Sequence, residues 1–89
     1  MLKLNFSGQI KKDLRRCKKR GYNMSKFENV VDVLRIPEKL PDKYKDHSLA
    51  GEYKGRRECH IAPDWLLIYE IFEEELFLDR TGTHSDLFR

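Results

Sequence analysis

The sequence predicts an α+β fold with two layers, in which one strand and two helices precede a three-stranded meander. Three observations carry this prediction. Apolar residues alternate over the first six positions, recur at helical spacing from residue 10 to residue 34, and alternate again after Gly51. The 89 residues fit one domain, which we take as residues 1–89. Short turns make the last strands antiparallel, and the two helices, as an αα hairpin, should cover the apolar face of the sheet.

The first strand is predicted by the alternation of Leu2, Leu4 and Phe6 with Met1, Lys3 and Asn5. Ser7 follows, and its hydroxyl can cap a helix that starts there. The apolar stripe of this helix consists of Ile10, Leu14, Cys17 and Gly21. Gly21 should end the helix in a left-handed turn.

The second helix is predicted to begin at a capping box formed by Ser25 and Glu28. Its apolar positions are Phe27, Val30, Val31 and Leu34. Pro37 should end it, because proline cannot continue a helix. Residues 37–46 contain two prolines and many charges, which predicts an ordered but irregular connection.

The meander begins where the apolar period changes from 3.6 to 2 residues. Arg56, Glu58 and His60 should share one face of its first strand, opposite Arg57, Cys59 and Ile61. Residues 65–72 predict a central strand covered on both faces, residues 73–75 a hairpin turn, and residues 76–81 the last strand. Residues 85–88 can form one helical turn. The pattern does not predict where the first strand pairs.

The positive charge is concentrated in one segment. The formal net charge is +3, yet residues 11–20 alone carry +6 and leave −3 for the remainder. A basic stripe of this density suits a polyanion such as RNA, and a solvated helix face is the alternative. The phosphate contacts predicted on this helix are Arg15, Arg16, Lys18 and Lys19.

The cysteines and the hydropathy pattern indicate the cellular compartment in which the protein is expected. Cys17 and Cys59 lie far apart in sequence and are expected to be free thiols in a reducing compartment, with one disulfide as the alternative. No apolar run of membrane-spanning length occurs, and the N-terminus lacks the long apolar stretch of a signal peptide. We therefore expect a cytoplasmic protein that does not associate with membranes.

All three histidines lie after residue 46. Histidine changes protonation near neutral pH, so two imidazoles, or an imidazole and a carboxylate, can move protons in RNA cleavage. Because strand ends distant in sequence can meet at one edge of a meander, we expect one shallow site lined by His47, His60, Asp64 and His84.

Residues around the histidines could complete a nuclease site. Glu58 shares a strand face with His60 and could orient its ring. Arg56 or Arg80 could steady a phosphate, and Phe88 could stack on a base. The pattern therefore predicts an acid–base nuclease.

These residues also have structural interpretations. Glu58 and Arg80 could form a cross-strand ion pair, and Phe88 could close the end of the core. The histidines and Cys59 could bind a metal ion, but no C-x-x-C or H-x-x-x-H spacing occurs. Cys59 and His60 are adjacent on a strand and point to opposite faces. We therefore predict neither a metal ion nor another cofactor.

Five segments resemble the YafQ family of bacterial toxins, which belongs to the RelE/ParE superfamily. They are YKDHSLAG at 44–51, YKG at 53–55, RECHI at 57–61, PDWLLIY at 63–69 and RTGTHSDLF at 80–88. The resemblance extends over nearly the whole chain and is weakest in the two helices. It implies a RelE-like fold, a small sheet packed on an αα hairpin.

The resemblance further implies the toxin of a type II toxin–antitoxin system. Such toxins are ribosome-dependent endoribonucleases that cut translated mRNA in the ribosomal A site, where they contact ribosomal RNA. A DinJ-like antitoxin neutralises them, and the complex commonly represses its own operon. Operator DNA would then be contacted only through the antitoxin.

Matched motif by motif, the resemblance assigns catalytic roles to six positions, which are His47, Glu58, His60, Asp64, His84 and Phe88. Glu58 departs from the pattern, because the best-known member has aspartate there. His84 or His60 would act as the base, with the other or Asp64 as the acid.

Two other classes remain open at this stage. The first is a catalytically silent ParE/RelE-like module that keeps the fold and the antitoxin contact. The second is an RNA- or ribosome-binding protein that uses only the basic helix. The clustered histidines favour the nuclease, because a binding module has no need of proton carriers.

Overall fold

The computed structural model describes residues 1–36 and 41–88. Its helices are α1 (Gly8–Lys19), α2 (Met24–Leu34) and α3 (His84–Leu87). Its strands are β1 (Lys3–Phe6), β2 (His47–Ser48), β3 (Arg57–Ala62), β4 (Trp65–Phe72) and β5 (Glu75–Gly82). Two short 3₁₀ turns, Asp42–Tyr44 and Gly51–Tyr53, flank β2. The predicted α+β order is confirmed, and β2 is an addition that the sequence did not reveal.

The five strands form one sheet in the order β1-β5-β4-β3-β2. The predicted meander of β3, β4 and β5 is antiparallel. Strand β2 pairs with β3, also antiparallel, and forms one edge of the sheet. Strand β1 pairs in parallel with β5, which answers the pairing that the sequence left open. The first and last strands of the chain are therefore neighbours.

Polar side chains set the helix starts. The Ser7 hydroxyl accepts a hydrogen bond from the Ile10 amide at 2.9 Å, so the predicted cap of α1 is confirmed. The predicted capping box of α2 is wrong, because Asn23 caps the helix and accepts from the Ser25 amide at 3.1 Å. Helix α2 ends at Leu34, and Pro37 lies outside the described residues.

The main core lies between the helices and one face of the sheet. It includes Ile10 and Cys17 from α1, Val30 from α2, and Leu67 and Tyr69 from β4. On the other face of β4, Leu66 and Ile68 are completely buried against Leu87 of α3 and the segment that contains Leu49 and Tyr53. The prediction that β4 is covered on both faces is confirmed.

Both cysteines are free, as predicted, and both are buried. Burial raises the pKa of the Cys59 thiol well above its usual range, so this side chain acts as a small apolar core residue. Within the two described ranges, no helix is long and apolar enough to span a membrane.

A bulge in β5 decides which way its last residues face. Tyr69 pairs with Leu78 but Ile68 pairs with Arg80, so Asp79 is an extra residue in the ladder. The shift places Arg80 opposite Ile68, on the sheet face that also carries Glu58. Simple alternation from Leu76 and Leu78 would have turned Arg80 to the helix side.

Candidate active site

The C-terminal half of the chain brings the three histidines to one end of the sheet face that lies opposite α1 and α2. His47 lies on β2, and Glu58 and His60 lie on β3. Asp64 lies in the turn between β3 and β4, and His84 is the first residue of α3. The predicted convergence at one edge of the meander is therefore observed.

Glu58 joins two of the histidines. It is directly opposite His47 in the β2–β3 ladder, and His60 is two residues further on the same face. One carboxylate oxygen, Oε1, lies 3.4 Å from Nε2 of His47 and 3.6 Å from Nε2 of His60. The glutamate is only 3% exposed, so its carboxyl group contacts these two rings rather than solvent.

The orientation of His47 is set by its own loop. Its Nδ1 lies 2.8 Å from the Lys45 carbonyl oxygen, which can only accept, so Nδ1 carries the proton and donates. Lys45 has a left-handed backbone with φ of 50°, which turns its carbonyl toward the ring. Nε2 is left to face Glu58.

Asp46 anchors this loop to the sheet. Its two carboxylate oxygens accept hydrogen bonds from Arg57 Nε at 2.9 Å and from the Tyr69 hydroxyl at 2.7 Å. Burial, and then the hydrogen bond to Asp46, raise the pKa of Tyr69 well above its usual range, so the hydroxyl stays protonated and donates. Tyr69 is therefore more than a packing residue, which the sequence did not indicate.

His84 is held by Asp64. The His84 ring donates from Nδ1 to Asp64 Oδ1 at 2.8 Å, and the His84 amide donates to the same oxygen at 3.1 Å. These bonds lower the pKa of Asp64, so it is ionised at neutral pH. Because an ionised carboxylate has no proton to give, the predicted alternative that Asp64 is the acid is disfavoured. Asp64 instead fixes the tautomer that leaves Nε2 of His84 open.

The rings of His60 and His84 are neighbours in an edge-to-face arrangement. Their centroids are 6.0 Å apart, and the Phe88 ring lies 6.2 Å beyond that of His84. Phe88 also makes an edge contact with Tyr53 at 5.6 Å and remains exposed. It therefore does not close the core, and Leu87 does so instead. Tyr53 is a contributor that sequence reasoning missed, although its YKG motif was noted.

The arginines on this face have internal partners. Arg80 donates to the buried Asp13 of α1 from Nε at 2.7 Å and from Nη2 at 3.3 Å. Arg56 Nε lies 3.0 Å from Asp79. The alternative cross-strand pair between Glu58 and Arg80 is wrong, because β4 separates their strands. Both guanidinium groups are therefore engaged within the protein, which weakens the prediction that they bind phosphate freely.

The basic helix divides into two groups. Arg15, Lys18 and Lys19 are exposed, as phosphate contacts would require. Arg16 instead donates to Asp13 at 3.2 Å and lies 3.6 Å from Asp86. Its predicted role as a free phosphate contact is therefore disfavoured, because its charge connects α1 to α3.

Asp86 of α3 accepts hydrogen bonds from several neighbouring groups. Arg20 donates to both of its oxygens, at 2.7 and 3.2 Å, and the Thr83 amide donates to it at 2.9 Å. The hydrogen bond from Arg20 is the main reason that the pKa of Asp86 is far below its usual value. A Cβ on Gly82 would come within 2.8 Å of Asp86 Oδ2, which explains the glycine before this turn.

Three side chains of the site form a set that could hold a metal ion. Ligand atoms of Glu58, His60 and His84 all lie within 4.8 Å of one another. Two imidazoles and a carboxylate are ligands that copper and zinc accept. The sequence analysis considered the histidines and Cys59 as ligands but did not predict this set, because its members come from β3 and from the first residue of α3 rather than from one spaced motif.

Comparison with known proteins identifies the family. The family model described as the YafQ toxin of bacterial type II toxin–antitoxin systems matches residues 2–89. The mRNA interferase toxin YafQ of Escherichia coli K12 is 42% identical over 88 residues, which cover 96% of this chain and 94% of the relative.

Solved structures give the same answer. The E. coli DinJ–YafQ toxin–antitoxin complex contains a chain with a TM-score of 0.91 and 40% identity, and each chain is covered completely. A copper-bound mutant toxin from Helicobacter pylori has a TM-score of 0.93 and 42% identity, with 99% of this chain and 100% of that chain covered. The predicted RelE-like fold and the predicted family are both confirmed. The chain belongs to the YafQ family of bacterial toxins of type II toxin–antitoxin systems.

Proposed function

We propose that this protein is an endoribonuclease that cuts translated mRNA on the ribosome by acid–base catalysis between His60 and His84. The observation that carries the proposal is the pair of neighbouring imidazoles, with ring centroids 6.0 Å apart, each of which lies beside a carboxylate. The E. coli relative is named an mRNA interferase toxin, which supports the substrate class.

The two imidazoles can divide the proton work. One takes the proton from the ribose 2′-hydroxyl, and that oxygen attacks the adjacent phosphorus. The other protonates the departing 5′-oxygen, which leaves a 2′,3′-cyclic phosphate and a 5′-hydroxyl. Asp64 holds Nδ1 of His84, so proton exchange at this residue occurs at Nε2. No metal ion is needed for either step.

Other side chains have supporting roles in this proposal. His47, held by Lys45 and Glu58, helps to hold the phosphate. Arg80 and Arg56 stabilise negative charge that builds on the phosphate. Phe88, exposed beside His84, stacks on a base. The exposed residues Arg15, Lys18 and Lys19 dock the protein on ribosomal RNA.

Induced expression of wild type and of His84→Ala tests the activity. Wild type should arrest growth and produce new 5′ ends in primer extension on translated mRNA, whereas His84→Ala should do neither. His84 is exposed, so its loss leaves the core intact. Growth arrest by both forms without cleavage would favour the catalytically silent module instead.

An RNA substrate in which sulfur replaces the departing 5′-oxygen would show which histidine is the general acid. A thiolate leaves without protonation, so the variant that lacks the acid should recover its rate on this substrate, while the variant that lacks the base should not. His60→Ala and His84→Ala should therefore respond differently. Equal recovery of both variants would contradict the division of roles.

A DinJ-like antitoxin is the proposed partner, because a similar toxin was solved in complex with DinJ. Co-expression with the product of an adjacent short acidic reading frame should restore growth and co-purify with this chain. Since the proposed substrate is mRNA, the expected place of action is the cytoplasm.

A second proposed property is binding of copper or a similar transition metal by Glu58, His60 and His84. The ligand atoms lie within 4.8 Å of one another, and a similar H. pylori toxin was solved with copper bound. A bound ion would occupy the ring nitrogens that carry protons. It would therefore act as an inhibitor, not as a cofactor.

A further inference from the structure

The helix side of the sheet has a groove that ends at the candidate active site. Its larger part, about 480 Å³, lies between α2 and the 3₁₀ turn Asp42–Tyr44. Its smaller part, about 300 Å³, continues along the N-terminal end of α2. The two parts share Lys26 and Ala62, so they form one continuous surface, which we call the lysine groove.

The lysine groove meets the proposed catalytic residues at two points. His60 lines the larger part, and its ring is 6.0 Å from that of His84. Asp64 lines the smaller part and holds His84 through a 2.8 Å hydrogen bond. An RNA strand lying in the groove would therefore reach the edge of the sheet at which Asp64 holds His84.

The chemistry of the groove suits a nucleic acid strand. Among the described residues that line the larger part, Lys26, Lys43 and Lys45 are cationic and exposed, and none carries a carboxylate. The floor contains the buried apolar residues Val30 and Ile61. Single-strand sites combine cations along the backbone with apolar or aromatic surfaces for bases. In the smaller part, Asp64 is the acidic residue, and its charge is engaged by His84.

We propose that the lysine groove binds the mRNA segment that flanks the scissile phosphate. Lys26 and Lys43 contact its phosphates, and the half-buried Tyr44, with the Lys43 ammonium 5.1 Å above its ring, lies beside a base. That the bound nucleic acid is mRNA rests on the proposed function. The lysine groove adds a second RNA contact on the opposite side of the sheet from the ring of His60.

The test measures binding rather than cleavage. Fluorescence anisotropy follows wild type with a 2′-O-methyl RNA of about ten nucleotides, within the size range of single-strand grooves. This RNA cannot be cut, because the 2′-oxygen is blocked. The association constant K should decrease with salt less steeply for a Lys26→Ala/Lys43→Ala variant than for wild type. The slope of log K against log salt should become less negative by about 1.4, or about 0.7 for each lost phosphate contact. Lys45 is left in place because its left-handed backbone positions His47.

Lys3→Glu is the matched control. It changes the net charge by the same two units, but Lys3 lies on β1 at the far edge of the sheet. Its slope should equal that of wild type, and all three proteins should unfold at the same urea concentration. An unchanged slope in the double variant, no binding by wild type at low salt, or an equal loss in Lys3→Glu would each overturn the proposal.

Photo-crosslinking distinguishes mRNA from ribosomal RNA. With 4-thiouridine in the mRNA alone, crosslinks on translating ribosomes should map to residues 41–45 and 62–65. If these residues crosslink only when 4-thiouridine is placed in the ribosomal RNA and not when it is placed in the mRNA, the assignment to mRNA is overturned. Because these readouts do not need cleavage, they can fail while the His84→Ala result still supports the nuclease, and the reverse also holds.

Discussion

The ring of His84 donates a hydrogen bond to the carboxylate of Asp64, with 2.8 Å between Nδ1 and Oδ1. The His84 amide donates to the same oxygen, so one carboxylate fixes both the ring and the first residue of α3. His84 itself is more than half exposed, with 58% of its side chain accessible. An exposed ring held in one tautomer is suited to exchange protons with a substrate.

Replacing Asp64 tests this relationship. Asp64→Ala should reduce cleavage on translating ribosomes by about 100-fold, because general acid–base catalysis contributes about 10²–10⁴-fold and depends on ring orientation. Asp64→Asn should lose less, since its amide oxygen can still accept from His84. Thermal unfolding should change little in either variant, because Asp64 is 65% exposed. Full activity of Asp64→Ala would contradict the orienting role.

Asp13 should be the most costly charged residue to remove. It is fully buried and accepts from Arg80, from Arg16 and from the Thr81 amide. Asp13→Ala leaves these donors without their acceptor, and breaking a buried pair costs about 3–5 kcal/mol. Urea denaturation measures the loss in the free energy of unfolding. The exposed Asp32 on α2 provides the control, because Asp32→Ala should change it by less than about 0.5 kcal/mol.

Asp86 should make stability depend on pH in the acid range. Its pKa is lowered mainly by Arg20, so its contribution is complete above the unfolded value of about 3.9 and is lost as the pH falls toward the folded value. Asp86→Asn should therefore be less stable than wild type at neutral pH, by about 1–2 kcal/mol from the loss of the cap and the ion pairs. Below about pH 3.9 the difference should shrink.

Urea titrations of both proteins at neutral and acid pH measure this difference. Arg20→Ala is the partner control, since it should remove most of the pH dependence while leaving the carboxylate in place. A difference between wild type and Asp86→Asn that stays constant with pH would show that the ion pairs do not stabilise α3.

Copper should inhibit cleavage reversibly. Calorimetry should detect binding to wild type, and loss of His60 or His84 should weaken it by at least about tenfold, because even residues behind the ligands contribute about 10–100-fold. His47→Ala should bind nearly as wild type, since His47 lies outside the set of three ligands. A chelator should restore cleavage. Equal binding by His84→Ala would place the ion elsewhere.

Much of the site was predictable because its residues occur in short, characteristic segments. The alternation on β3 places Glu58 and His60 on one face, and the turns on either side of β4 place Asp64 and His84 near a common end. The partners of the charged residues were not predictable. Arg16 and Arg80 were expected to contact phosphate, but both donate hydrogen bonds to Asp13 instead. Arg80 is more than 60 residues away from Asp13 in the sequence, so local patterns could not reveal this pair.

The sequence alone determined the α+β order, the antiparallel meander and the residues that carry the proposed chemistry, because each depends on local periodicity or on a contiguous motif. The tertiary structure decided the parallel pairing of β1 with β5, the short strand at His47 and the bulge at Asp79. It also decided that the rings of His60 and His84 lie next to each other, with centroids 6.0 Å apart. These features arise from contacts between residues distant in the chain, where the geometry of the packed sheet, and not local propensity, selects the partner.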